Sequence, residues 1–137
     1  MISDPARSRV ESPATPILGI VSPPADYLND LAQATVGAGE TDLLSRLMFM
    51  QQAHKTYAGT STVCTGVASR IPGTVVHEVT RSGTRDRAVL RIGHPAGVIE
   101  TETCVEAGAG GFVVRRATLG RTARRILEGY VFVPDAG

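Results

Sequence analysis

Apolar residues recur along this chain with two different spacings, and the change between them falls near Gly73. Before it, Leu43, Leu44, Leu47, Met48, Met50 and Gln51 follow three-to-four spacing, and Ala53, His54 and Tyr57 extend it. That spacing predicts a helix over 43–57, with Thr41 or Asp42 as its cap and the two methionines as flexible core fillers. Gly59 ends it, and a second helix, 62–70, runs in small residues until Pro72 forbids continuation. After Gly73 the period falls to two. Strands are predicted at 74–80, with Val75 and His77 on one face, and at 88–92, 98–105 and 112–118, joined by turns at Arg81-Ser82-Gly83, at GHPAG (93–97) and at 107–111. RTARRILEGYVFVP, 121–134, is predicted as one long strand broken at Gly129. Upstream of all this, Ile17–Val21 is a short apolar strand stopped by Ser22-Pro23-Pro24.

Two central helices followed by an antiparallel meander make an α+β domain over 17–134. Residues 1–16 hold three prolines and three serines without periodicity and predict a disordered arm; 135–137 form a tail. A chain of 137 residues with 42% hydrophobic content can bury one core. The net charge of +1 gives no electrostatic footprint for nucleic acid or a membrane surface. Basic residues are lopsided, with Lys55 alone against thirteen arginines, which reads as genomic composition. Cys64 and Cys104 are far apart and in no metal-ligand spacing, so two free thiols in a cytoplasmic protein are expected, and no metal.

The chemistry gathers in AHKTYAGTSTVCTGVASRIPGTVV, 53–76. A helix start needs one capping hydroxyl, whereas Thr60, Ser61 and Thr62 offer three, leaving some for an anion held by free backbone N–H groups. Cys64 falls near that start, where the positive end of a helix favours anionic sulfur, the form able to take a proton from carbon. The alternative is a small buried thiol. His54 and Lys55 are adjacent and diverge by about 100° on a helix, so one of them at most faces a pocket squarely. His94 in GHPAG is a turn residue or a ligand, with Gly93 and Gly97 allowing unusual backbone angles. His77 and Cys104 read as structural, and Arg121, Arg124 and Arg125 as a solvated face.

The segments AHKTYAGTSTVCTGVASRIPGTVV, RIGHPAGVIETE and RTARRILEGYVFVP, in that order, resemble the C-terminal half of PrpF-type proteins, cofactor-free isomerases of the diaminopimelate-epimerase-like fold. The resemblance spans Leu18 to Pro134. It implies a sheet curled around a central helix, forming half of a two-half fold whose helix N-termini meet at a cleft. It also implies a proton-transfer shift of a double bond in a small unsaturated di- or tricarboxylate such as methylaconitate or oxalomesaconate, without a cofactor. On this resemblance Cys64 and Lys55 are the catalytic candidates, and His54, Thr60, Ser61, Thr62, Gly93, His94 and Gly97 the substrate-binding ones. The family's CGN motif, which lies in its N-terminal half, is absent here. A partner half, from another chain or by homodimerisation, is therefore expected. A catalytically inactive half that only binds carboxylates or another protein is the alternative.

Overall fold

The computed structural model describes residues 4–134. The tail, 135–137, and the first three residues of the arm lie outside the described residues. From Asp4 the arm carries a 3-10 turn, Pro5–Arg7, and one helical turn, α1 (Ser8–Glu11), neither with a buried residue.

Five strands form the main sheet in the order β1 (Leu18–Ser22), β4 (Leu43–Phe49), β6 (Val89–His94), β7 (Gly97–Gly108) and β8 (Gly111–Ala117), and short β5 (Gln52–Ala53) folds back on β4. Neighbours are antiparallel except β4 and β6, which run parallel with Leu43 opposite Ile92. A parallel pair needs a crossover. Here it is α2 (Gly59–Ala68) and α3 (Val75–Val79), so the expected all-antiparallel meander is interrupted once. The α+β class holds, with the sheet curling past α2.

The predicted helix 43–57 is instead β4, a tight turn and β5. Leu43, Ser45 and Leu47 alternate into the core, while Leu44, Arg46 and Met48 point the other way. Period two was masked because the outer face is also covered. A hairpin that the periodicity misses, β2 (Tyr27–Asn29) with β3 (Ala34–Val36), brings Tyr27 over it, and Gly93 leaves the room. A Cβ there would sit 2.5 Å from Leu44 Cδ2 and 3.0 Å from Tyr27 Cε1. Met50 and Gln51 are the turn, both at positive φ (50° and 61°), as a tight I′-type hairpin requires. Met48 and Met50 are thus exposed and not core fillers.

The strand expected at 74–80 is α3. Thr74 caps it by accepting from the His77 N–H at 3.1 Å, and Val76 and Val79 turn one helical face to the core. Thr41 and Asp42, expected as helix caps, lead into β4 and are buried. Residues 121–134 pair with no strand among the described residues; Tyr130 is 98% exposed and Phe132 96%. Strand propensity there has no partner to supply ladder hydrogen bonds.

The core is Leu43, Leu47, Tyr57, Leu90 and Ile92, with Val21, Ala58, Val76, Val79 and Ile99 against it. Its polar seam is Asp42, which is buried and bonds Arg91 Nη2 at 2.7 Å and the Arg91 N–H at 2.8 Å. This pair latches the start of β4 to β6, where the parallel ladder begins. Losing one partner strands a charge. Asp42→Ala should cost about 3 kcal/mol, the low end for a buried pair because Arg91 keeps some water. Urea unfolding of the variant against wild type measures it, and an unchanged midpoint would show that the latch carries no weight.

Candidate functional site

Helix α2 opens without a side-chain cap: Ala58 is the capping residue and has nothing to offer. The first backbone bond inside the helix is from Thr62 N–H to Ala58 carbonyl, 2.8 Å. Among the described residues the N–H groups of Gly59, Thr60 and Ser61 have no acceptor, so the positive end of the helix is bare.

Two open cavities flank this helix start, and Tyr57 lines both. One, about 530 Å³, is bounded by Thr56, His94, Ile99, Glu100 and Arg121. The other, about 540 Å³, is a mostly apolar groove between α2 and β1, with Thr60, Ser61, Cys64 and Ala68 along its helical wall and Val21 and Leu47 opposite.

In the first cavity His94 is almost fully buried at the end of β6. Its Nδ1 accepts from the Ala96 N–H at 3.2 Å, so the neutral ring carries its proton on Nε2. Burial lowers its pKa below the usual imidazole value, with the Arg46 and His54 charges acting in the same direction. The site therefore holds a neutral donor. Arg121 brings a permanent cation, its guanidinium lying where a Cβ on Gly59 would sit, 2.7 Å from Nη2. Gly59, expected to break a helix, is the first residue of α2 and leaves room for that arginine.

Tyr57 holds these parts in register. Its hydroxyl donates to Ser45 Oγ at 2.8 Å and shares a 2.9 Å bond with Thr65 Oγ1, tying β4 to α2. Its ring lies 6.2 Å from that of His94. Sequence reasoning missed this role. The available signal was a lone tyrosine set between a polar stretch and a small-residue helix, in a chain with three tyrosines and no tryptophan.

The other expected site residues divide. Thr60 and Ser61 are in the first turn of α2 and face the groove. Thr62 is fully buried and spends its hydroxyl on the Ala58 carbonyl at 2.9 Å, so it faces neither cavity. Cys64 is exposed on the groove wall, not buried, and across Tyr57 from His94. His54 and Lys55 do not end a helix: they follow β5 in a loop, where His54 Nδ1 accepts from the Thr56 N–H at 3.1 Å. Lys55 is exposed and lines neither cavity. Gly93 and Gly97 serve the backbone, Gly93 by the close approach described and Gly97 by a φ of 127° in the turn after His94. His77 is on α3 and contacts the Ser69 carbonyl through Nδ1 at 2.9 Å. Arg121 is exposed, as the solvated reading expects, and its side chain also lines the first cavity, whereas Arg125 pairs with Glu128 at the surface.

The bare start of α2, the Arg121 guanidinium against Gly59 and the His94 imidazole N–H thus make a corner of hydrogen-bond donors suited to a carboxylate, with Glu100 as the one acid on the cavity wall. Among the described residues no three His, Cys, Asp or Glu side chains gather as metal ligands would. No helix among them is long and apolar enough to cross a membrane.

Comparison with known proteins places the chain in a family. The chain belongs to the PrpF family, whose PrpF protein model matches residues 1–134. It is 52% identical over 126 residues to a 3-methylitaconate isomerase of Eubacterium barkeri, covering 92% of this chain and 32% of that protein. It is 35% identical over 120 residues to a 2-methyl-aconitate isomerase of Shewanella oneidensis, covering 88% and 30%. Among solved structures, a methylitaconate-delta-isomerase superposes with a TM-score of 0.75 at 49% identity, over 92% of this chain and 31% of that one. The chain spans roughly a third of the length of the relatives it matches.

Because folding lowers the pKa of His94, the folded state binds fewer protons than the unfolded state in acid. Stability contributed by neutral His94 is full above about pH 6.5 and is lost as pH falls from there through the folded pKa. Melting temperatures from pH 8 to 5 should fall in wild type, and less in His94→Asn. Parallel curves for the two proteins would remove His94 as the cause.

Proposed function

We propose that this chain is one half of an isomerase of the diaminopimelate-epimerase-like fold. It acts on small unsaturated di- or tricarboxylates of the methylaconitate, methylitaconate or oxalomesaconate kind. The observation that carries this reading is the uncapped start of α2 beside His94 and Arg121, in a chain 52% identical to a 3-methylitaconate isomerase.

The reaction is a proton shift. A base removes hydrogen from a carbon conjugated to a carboxylate, the electron pair delocalises toward that carboxylate, the double bond moves one position, and a proton returns at the far carbon. Nothing is oxidised or reduced, and the reading calls for neither metal nor organic cofactor. Negative charge grows on the carboxylate in the transition state. Donors fixed before the reaction, such as the α2 N–H groups, His94 Nε2–H and Arg121, are the kind that stabilise it there. Cys64, on the wall next to Thr60 and Ser61, is the group on this half we assign to handling the proton. Lys55 and His54 add positive charge in the loop before α2.

A second half is part of the proposal. The chain exposes 9653 Å², against about 6,800 Å² for a closed monomer of its mass. Leu18 and Ile20 on edge strand β1, and Ile126, Leu127 and Tyr130–Val133, are apolar surface waiting for a cover.

Deuterium entry into methylitaconate or methylaconitate in heavy water, followed by proton NMR, tests the assignment. The chain alone should show none. Co-expressed with the remaining two-thirds of a relative, it should co-sediment and exchange. Cys64→Ala should then slow exchange by about 100-fold while carboxylate binding persists, and Arg121→Gln should weaken binding. Full exchange by the chain alone would overturn the need for a second half. A complex that binds substrate without exchange would make this a binding half only.

A further inference from the structure

A second basic basin lies at the far end of α2, about 15 Å along the helix from its open start. It has a volume of about 340 Å³ and is lined by Arg70, Arg85, Asp86, Arg87, Thr103 and Cys104. Asp86 is the one acid on its wall. Among the described residues none of the three arginines makes an ion pair.

Their hydrogen bonds do not account for them either. Arg70 Nε donates to Thr103 Oγ1 at 3.1 Å, and Nη1 donates to the carbonyls of Thr84, at 3.0 Å, and Arg85. Arg70 Nη2 is buried and has no acceptor. Arg85 uses Nε and Nη2 on the carbonyls of Thr80 (3.1 Å) and Glu78 (3.0 Å), where it caps the end of α3. Arg87 has no side-chain bond among the described residues and is exposed. A half-buried guanidinium with a buried donor unmatched is costly unless negative charge comes near. Burial opposes the charge on Arg70, and Asp42 and Asp86 only partly restore it.

We propose that this basin is an oxyanion site, separate from the α2 start, for a small polyanion of the phosphate or dicarboxylate type. Arg87 and the free Nη1 of Arg85 would contact the anion, and its charge would compensate Arg70 beneath. Thr103 couples the basin to the helix, since its hydroxyl receives Arg70 and donates to the Gly66 carbonyl at 3.2 Å. Occupancy would therefore stiffen the end of α2 opposite the carboxylate corner.

Inorganic phosphate and succinate, titrated separately into the full nitrogen-15-labelled chain at ionic strength held with chloride, test this. At least one should shift amides at 84–88 and 103–105 saturably in the millimolar range; which of the two binds more tightly identifies the oxyanion. Arg87→Gln, which removes no bond of the fold, should weaken that binding at least fivefold, while His94→Asn should leave it unchanged. Shifts no larger than the chloride control, or shifts undiminished in Arg87→Gln with a natively dispersed spectrum, would overturn the proposal.

Discussion

Helix α2 lies on the sheet as closely as it does because Gly66 has no side chain. A Cβ at that position would come within 2.7 Å of Thr103 Cγ2 and 2.8 Å of Thr101 Cγ2, inside any real contact distance. Both threonines sit on the inward face of β7, and both are buried. The close approach lets Thr103 reach the Gly66 carbonyl, and Ser69 Oγ donates to the same carbonyl at 2.7 Å. One residue before Gly66, Thr65 bonds the Tyr57 hydroxyl, which also holds Ser45 of β4, and so fixes the depth of the same turn. Helix position, and with it the location of the bare N–H groups beside His94, follows from these two anchors.

This arrangement explains why the core is rich in threonine. Thr62, Thr65, Thr80, Thr84, Thr101 and Thr103 are all buried, and their hydroxyls bond to nearby carbonyls, to Tyr57 or to Arg70. A threonine presents a methyl for packing and a hydroxyl that satisfies backbone close by. That suits a helix of small residues pressed against a sheet, where a leucine core would hold the two apart. The cost is a small hydrophobic core, so that each buried apolar side chain carries a larger share of the stability.

Much of this was legible where one face of a strand meets water. β7 shows its alternation, with Glu100, Glu102 and Glu106 marking its wet side, whereas β8 is exposed along nearly its whole length. The small-residue helix was legible too, though it begins at Gly59 and not at Thr62. β4 was hidden because leucines fill both its faces, so its pattern satisfies helical spacing equally well. α3 was hidden because two valines outweighed the Thr74 cap. Within the site, Thr60, Ser61 and His94 came from resemblance combined with local chemistry. Tyr57 and Arg121 could not, since their roles depend on tertiary contacts, of Tyr57 with Ser45 and the His94 ring, or on a glycine left open for a guanidinium.

The central claim is that the seating of α2 at Gly66 builds the carboxylate corner. Amide shifts on adding methylitaconate to the labelled chain, in wild type and in Gly66→Ala, test it most directly. In wild type the amides of Gly59, Thr60 and Ser61 and the ring of His94 should respond saturably. In Gly66→Ala, where the added methyl lifts the helix from β7, that response should weaken several-fold while the Asp42–Arg91 region keeps its native spectrum. A response elsewhere in the chain, or one unchanged by the substitution in a folded variant, would contradict it.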